Sequence, residues 1–139
     1  MENQSFTVNG SWSNGATFWA DTNSTVVFAG TNDATLWNNS TFYNLTGTNA
    51  GKVLKLQAGK TNVVNGKLTL NNATLKSTAP GAWAYLRLDA NAMQDVQHVT
   101  VSDNNATNGP TIRARSSSDL GHNVNWFFQP APGTVFMVR

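Results

Sequence analysis

The chain contains no cysteine among its 139 residues. This absence excludes disulfide bonds, zinc ribbons, iron–sulfur clusters and thiol catalysis. Charge is also scarce, since 12% of the residues are charged, about half of the usual share. No apolar run approaches the roughly 20 residues that a membrane helix needs, and residues 1–4 lack the basic-then-apolar layout of a signal peptide. We therefore expect no cofactor, no metal centre and no membrane insertion.

Uncharged polar residues take the place of the missing charge. Asn, Thr, Ser and Gly together make up roughly two fifths of the chain, and all four are poor helix formers. Seven Phe and five Trp supply ample material for a core, which argues against disorder. The length allows one domain with one core. The composition therefore predicts a single soluble all-β domain.

A short alternation of apolar and polar residues recurs along the chain. In residues 53–57 it predicts that Leu54 and Leu56 point into the core and that Lys55 points outward. The same alternation recurs in residues 67–70, 85–89, 98–102, 111–115 and 124–128. Turn-forming Asn and Gly separate these segments. The pattern predicts many short strands and no long helix.

Two architectures produce such a pattern. One is an antiparallel β-sandwich, and the other is a solenoid whose successive turns stack as parallel strands. Short strands of similar length with Asn-containing turns on both sides favour the solenoid. Asn65-Gly66 is typical of a type I′ hairpin and favours the sandwich. The alternation by itself leaves both open.

Three parts of the chain resemble the repeat modules of large bacterial cell-surface and secreted, adhesin-like proteins of the right-handed parallel β-helix type. Residues 5–31 are similar to their opening coil, with Trp12, Asn14-Gly15 and Phe28-Ala29-Gly30 in order. Residues 40–46 resemble their "Phe-Tyr-Asn-Leu-Thr" segment, and residues 99–128 their closing segments, which end in "Asn-x-Asn-Trp-x-Phe". The resemblance implies a short right-handed parallel β-helix. It also implies a structural or adhesive spacer, outside the cell or at its surface, without catalysis.

The resemblance also sets the expected domain limits. Residues 1–128 are expected to form the β-helix domain. Residues 129–139, which contain two prolines, are expected to form a linker and a terminal strand or the start of a following segment. Proteins of this type are long and exported, so we expect this chain to be a module of a larger protein.

Aromatic residues are the main candidates for ligand binding, because sugars stack on exposed rings. Those next to turns or at outward positions are candidate glycan-stacking residues: Trp37, Tyr43, Trp83 and Tyr85. Trp12 and Trp19 are also expected to face outward, whereas Phe6, Phe28, Trp126 and Phe128 are expected in the core. The favoured interpretation is that such rings cap the ends of a short solenoid or pack laterally, and a glycan platform is the alternative. The expected partner is a glycan or another cell-surface polymer.

Few residues have the chemistry of catalysis. Stacked strands bring Asp89, His98 and Arg113 together only if their positions match, and an exposed charge ladder is the favoured interpretation. No second carboxylate completes a general acid–base pair. A non-enzymatic role is therefore expected, with a fragment of a polysaccharide-degrading β-helix enzyme as an alternative. Residues 103–109 are rich in side-chain oxygen, as in a calcium turn, but a simple Asx turn explains them equally well.

Five lysines lie in a stretch without acidic residues: Lys52, Lys55, Lys60, Lys67 and Lys76. One interpretation is a cationic strip for a polyanion. The favoured interpretation is solubility and protection of strand edges. No basic cluster alternates with stacking aromatics, so no nucleic-acid partner is expected.

Overall fold

The computed structural model describes residues 4–13, 18–19 and 22–130. All regular structure in these residues is β-strand. The strands are β1 (Ser5–Val8), β2 (Trp12–Ser13), β3 (Phe18–Trp19), β4 (Thr25–Phe28), β5 (Ala34–Trp37), β6 (Ser40–Gly47), β7 (Lys52–Leu56), β8 (Thr61–Asn71), β9 (Ala73–Ser77), β10 (Ala84–Leu88), β11 (Met93–Gln97), β12 (Thr100–Val101), β13 (Asn104–Asn105), β14 (Ile112–Arg115), β15 (Ser118–Asp119) and β16 (Trp126–Gln129).

These strands form three ladders that run along one axis. Ladder 1 has the order β1-β4-β6-β8-β11-β14-β16, and ladder 2 has the order β2-β5-β7-β9-β12-β15. Ladder 3 contains β3, β6, β8, β10 and β13, so that the long strands β6 and β8 belong to ladders 1 and 3. The chain passes through all three ladders in each turn, and a turn takes about 20 residues, as the pairing of Thr25 with Asn44 shows.

Each strand pair in the described residues is parallel. The fold is therefore a β-solenoid of about five turns. The predicted solenoid is confirmed, and the alternative of an antiparallel sandwich is wrong. The right-handed sense of the coil stays a prediction.

Asn65-Gly66 does not form the hairpin turn that its sequence is typical of. Strand β8 runs through both residues, and Gly66 lies directly against the neighbouring turn. A Cβ atom at Gly66 would lie 2.6 Å from Asn44 Oδ1 and 2.6 Å from Tyr43 Cδ1. Glycine fits here because the ring of Tyr43 and the side chain of Asn44 occupy the space that a Cβ atom would take. Asn65-Gly66, which is typical of a hairpin turn, therefore permits close packing between two turns here.

The core consists of apolar columns in which side chains of successive turns lie in register. Ladder 2 shows the clearest column, which contains Ala34, Leu54, Leu75 and Val101. These side chains are at most 2% exposed. Burying a Leu or Val side chain contributes about 1.5–3 kcal/mol, so stability accumulates turn by turn. The predicted inward positions of Leu54 and Leu56 are confirmed.

Single residues with positive φ form the corners between ladders 1 and 2 in three successive turns. They are Asn72 (57°), His98 (51°) and Ser116 (50°). The backbone N–H of His98 donates to the carbonyl oxygen of Arg115 at 2.9 Å, so the corner itself is bonded to the next turn. Asn and His enter this left-handed region more readily than most residues. The corner between β8 and β9 is therefore the single residue Asn72 and not a loop.

The predictions for the aromatic core residues are confirmed only in part. Phe28 is fully buried, as expected. Phe6 pairs in register with the buried Val26 but is 49% exposed, because β1 is the outermost strand of ladder 1 and no described turn covers it. Trp126 and Phe128 pack against the core from the other end and are only partly buried. The prediction of a buried Phe6 is wrong because position in the stack matters as well as direction.

The prediction for Trp12 is also wrong, in the opposite direction. The sequence predicts that Trp12 faces outward, yet it pairs in register with the buried Leu36 and packs against the core. Its ring centroid lies 5.6 Å from that of Phe42, and its Nε1 donates to Ser40 Oγ at 3.0 Å. The side chain of Trp19 lies outside the described residues. Strand β16 ends at Gln129, and residues 131–139 lie outside the described residues too, so the predicted domain limit at residue 128 stays a prediction.

One inward position carries an amide instead of a hydrocarbon. Asn62 is fully buried, between Ser40 of the turn before and Leu86 of the turn after. Within the described part of the chain, neither its Nδ2 nor its Oδ1 has a hydrogen-bond partner. An unsatisfied buried polar group costs about 1–3 kcal/mol. Asn62 therefore lowers the stability of the third turn.

We predict that Asn62→Leu raises the free energy of unfolding by about 1–3 kcal/mol, because Leu fills a similar volume without polar atoms. The measurement is urea denaturation followed by circular dichroism. Leu86→Asn, the reverse change one turn away in the same column, is the control and is expected to lower stability. An Asn62→Leu protein less stable than the original would show that the amide has a partner in solution.

Candidate functional site

The four predicted glycan-stacking residues lie at three different places on the solenoid surface. Trp37 ends β5, and Trp83 lies immediately before β10; both are at the corner between ladders 2 and 3. Tyr85 lies in β10 at the centre of ladder 3. Tyr43 lies inside β6, where this strand passes from ladder 3 to ladder 1. The structure therefore brings Trp83 and Tyr85 together and keeps Tyr43 apart from them.

Trp37 and Trp83 lie at the same corner of the solenoid, but the turns that contain them are not adjacent. The N–H of Gln57 donates to the carbonyl oxygen of Leu36, and the N–H of Gly59 donates to that of Trp83. The turn that contains residues 57–59 therefore lies between the two tryptophans. Two turns correspond to about 10 Å along the axis. Trp37 is 42% exposed and is the most accessible of the four predicted rings.

Trp83 is partly covered by the last turns. Its ring stacks on the imidazole of His122, with centroids 4.7 Å apart and planes 10° apart. Its Nε1 donates to the main-chain oxygen of His122 at 3.0 Å. His122 Nδ1 in turn lies 2.8 Å from Asp103 Oδ1. One face of the Trp83 ring is therefore unavailable to a ligand, and these side chains link the fourth turn to the last.

Tyr43 packs against the main chain. Its ring lies over Gly66, where a Cβ atom would approach within 2.6 Å of two ring carbons. The side chain is only partly exposed. The ring of Tyr43 therefore packs laterally, which is the favoured interpretation of such rings. The ligand-binding role of all four residues stays a prediction.

A row of larger side chains crosses the outer side of β10. Trp83, Tyr85, Arg87 and Asp89 alternate with Ala84, Leu86 and Leu88, which are at most 1% exposed. Alternate residues of a strand point to the same side and are about 7 Å apart. The row therefore presents two rings, a guanidinium and a carboxylate in a line. The sequence alternation had already placed Arg87 and Asp89 at outward positions.

An open cleft of about 580 Å³ lies at the end of this row. Residues 87–90 line one side, and Asn108, Gly109 and Pro110 of the next turn line the other. Gly109 allows this contact, because a Cβ atom there would overlap the main-chain oxygen of Leu88. Nothing in the sequence paired residues 108–110 with β10, since the two segments meet only through the stacking of turns.

The candidate cluster of Asp89, His98 and Arg113 does not form. Asp89 precedes β11 and His98 follows it, so the length of that strand separates them, and the guanidinium of Arg113 lies 5.6 Å from the ring centroid of Phe127. In the suggested calcium turn, Asn105 Oδ1 accepts hydrogen bonds from Thr107 N and Oγ1, which is an Asx turn. The carboxylate of Asp103 is bonded to His122.

The alternative interpretation of the five lysines as one cationic strip does not hold for Lys52. Lys52 is fully buried, and its Nζ donates to the carbonyl oxygens of Ala29 at 2.8 Å and Asn32 at 2.7 Å. Lys55 is at the surface and forms an ion pair with Asp33 at 3.1 Å. The sequence contained a signal for this difference, because Lys52 shares its alternation phase with Leu54 and Leu56.

Burial lowers the pKa of the Lys52 amine below its ordinary value of 10.5, and the negative charge of Asp33 opposes this effect. In the window between the lowered pKa and 10.5, the unfolded chain binds more protons than the folded one. Stability from this group therefore rises with pH in that window and is lost as pH falls through the lowered pKa.

We predict that Lys52→Met lowers the free energy of unfolding by about 1–3 kcal/mol, because two buried carbonyl oxygens lose their donor. The loss is expected to be larger at pH 10.5 than at pH 7, since the variant lacks the titrating amine. Urea denaturation at both pH values measures it. Lys76→Met, on the outer side of ladder 2, is the control. A loss that stays constant or shrinks toward alkaline pH would contradict the effect of burial.

Among the described residues, no helix is long and apolar enough to cross a membrane, and no group of three or more His, Cys, Asp or Glu side chains is placed to hold a metal ion. Comparisons of the chain with protein-family models, with curated proteins and with solved structures found no match.

Proposed function

We propose that this chain is a structural and adhesive spacer module of a bacterial exported or cell-surface protein, without catalysis of its own. The observation that supports the proposal is the unbroken parallel pairing of ladder 1 from β1 to β16. Each turn is hydrogen-bonded to the turn before and the turn after it. A coil of this kind separates its two ends by a distance set by the number of turns.

The resemblance of residues 5–31, 40–46 and 99–128 to adhesin-like β-helix modules supports the location outside the cell. A right-handed coil belongs to the same proposal, because parallel strand connections are right-handed in about 98% of cases. Three carboxylates are engaged in pairs with basic side chains: Asp33 with Lys55, Asp95 with Arg115 and Asp103 with His122. These pairs give the degrading-enzyme alternative less support than the spacer.

We predict that the length of the module increases by one turn spacing when one turn is added. Residues 44–66 form one turn, because Asn44 pairs with Lys67, so a second copy of residues 44–66 is inserted after residue 66. Spin labels on Thr7→Cys and Arg113→Cys, in a chain without other cysteines, report the distance. The mean distance is expected to increase by about 5 Å and the distribution to remain narrow.

The matched control is an insertion of the same length and composition with the residue order scrambled. Scrambling removes the inward apolar column, so this insertion is expected to broaden the distribution without a defined increase. A broad distribution or an unchanged mean for the true copy would overturn the spacer proposal.

A second candidate function is carbohydrate binding. It is favoured by the exposed ring of Trp37 and by the row of outward side chains on β10. We predict that the labelled chain is retained on an array of neutral and acidic plant, algal and bacterial glycans. The unfolded variant Leu88→Asp, which places a charge at a position 1% exposed, is the control. If no glycan of the array retains the original chain more strongly than it retains the control, this function is excluded.

A further inference from the structure

The cleft at the end of β10 contains three polar side chains that the described residues leave without a partner. Within the part of the chain that the structure describes, the guanidinium of Arg87, the carboxylate of Asp89 and the amide of Asn108 form no hydrogen bond or ion pair. Arg87 is half-buried, and the other two residues are exposed. The charged and polar groups of the cleft are therefore available to a ligand, unlike the carboxylates that are paired with basic side chains.

The donors and acceptors in the cleft are complementary. A guanidinium only donates hydrogen bonds, an ionised carboxylate only accepts them, and a primary amide does both. The positive charge of Arg87 and the negative charge of Asp89 nearly cancel, so neither an anion nor a cation gains net attraction. Hydroxyl groups both donate and accept, and a ligand with several of them satisfies all three side chains. This balance selects an uncharged, hydroxyl-rich ligand.

The size and the walls of the cleft also suit such a ligand. A volume of about 580 Å³ lies within the range of about 300–1,000 Å³ that is typical of small-molecule sites. Ala90 and Pro110 add apolar surface, and the close contact of Gly109 with Leu88 fixes the opposite wall. Tyr85 lies two residues before Arg87 on the same side of β10 and supplies a ring beside the cleft.

We infer that this cleft binds one unit of a neutral saccharide. Asp89 accepts hydrogen bonds from its hydroxyl groups, Arg87 and Asn108 donate to its oxygens, and Tyr85 contacts an adjoining unit. The inference rests on the candidate function of carbohydrate binding and gives that function a site. It is independent of the spacer proposal, which the labelled-distance measurement tests separately.

The test uses the full chain and the glycan array, followed by isothermal titration with the neutral oligosaccharide that is retained most strongly. Asp89→Ala is expected to weaken binding about tenfold or more, because hydrogen bonds to a charged group contribute most. Asn108→Gly, which keeps the positive φ of 68° accessible, is expected to weaken it about threefold. Arg87→Lys keeps the charge but removes the planar fork, and a loss is expected there too.

Three further variants complete the test. Asp89→Asn keeps the shape of the side chain and tests the carboxylate if Asp89→Ala fails to fold. Lys76→Ala changes a partly exposed residue of ladder 2, away from the cleft, and is expected to bind as the original chain does. Trp37→Ala tests the other surface that favours carbohydrate binding, because Trp37 does not line the cleft, and a smaller loss is expected there than in Asp89→Ala. Binding that is lost in Trp37→Ala and kept in the cleft variants would overturn the inference while leaving carbohydrate binding in place. Retention of uronic-acid polymers alone would overturn it, and so would retention of no glycan.

Arg87 and Asp89 also match the carboxylate and the ammonium group of a free amino acid. Isothermal titration with glycine tests this occupant. No heat of binding is expected from glycine at millimolar concentration. Binding of glycine that Asp89→Asn abolishes would overturn the assignment to a saccharide.

Discussion

The in-register pairing of parallel strands from one turn to the next is the constraint on which the rest of this structure depends. Once the main chains of two turns are paired, a side chain in one strand lies directly above or below the side chain of its partner, apart from the register shift between Phe42 and Asn44. Inward residues therefore form columns such as Ala34, Leu54, Leu75 and Val101. The pairing decides direction regardless of chemistry, and it places the amine of Lys52 and the amide of Asn62 inside the core. Lys52 is compensated by two carbonyl oxygens, whereas the amide of Asn62 has no hydrogen-bond partner among the described residues.

The same constraint explains why the outermost described turns differ from the middle. A residue in the middle of the stack is covered on both sides, but one at the edge of the described stack is covered on one side only. Phe6 has the inward direction of Val26 and is nevertheless 49% exposed. Trp126 and Phe128 are partly buried at the other edge, where their rings stack with centroids 5.7 Å apart. Aromatic rings suit these positions because they cover much apolar surface per residue.

The surface chemistry also arises from stacking. Trp83, Asp103 and His122 lie far apart in sequence and meet because they occupy equivalent corners of successive turns. The cleft forms in the same way, from the outward row of β10 and from residues 108–110 of the following turn. A solenoid therefore builds polar sites between turns, and the residues of one strand supply only half of such a site. The proposed saccharide site and the proposed spacer role are compatible, because binding on the outer side leaves the core columns unchanged.

The sequence by itself determined the all-β class and the direction of most side chains, because a period of two is a local property of an extended chain. It also placed Arg87 and Asp89 on one side of β10. It left parallel and antiparallel pairing open, since Asn65-Gly66 fits a hairpin turn and a close contact equally well until its neighbours are known. Only the tertiary structure decided which turn lies on which, how far each ring is from the edge of the described stack, and that Asn108 faces Asp89. These are long-range relations, and no short window of sequence contains both partners.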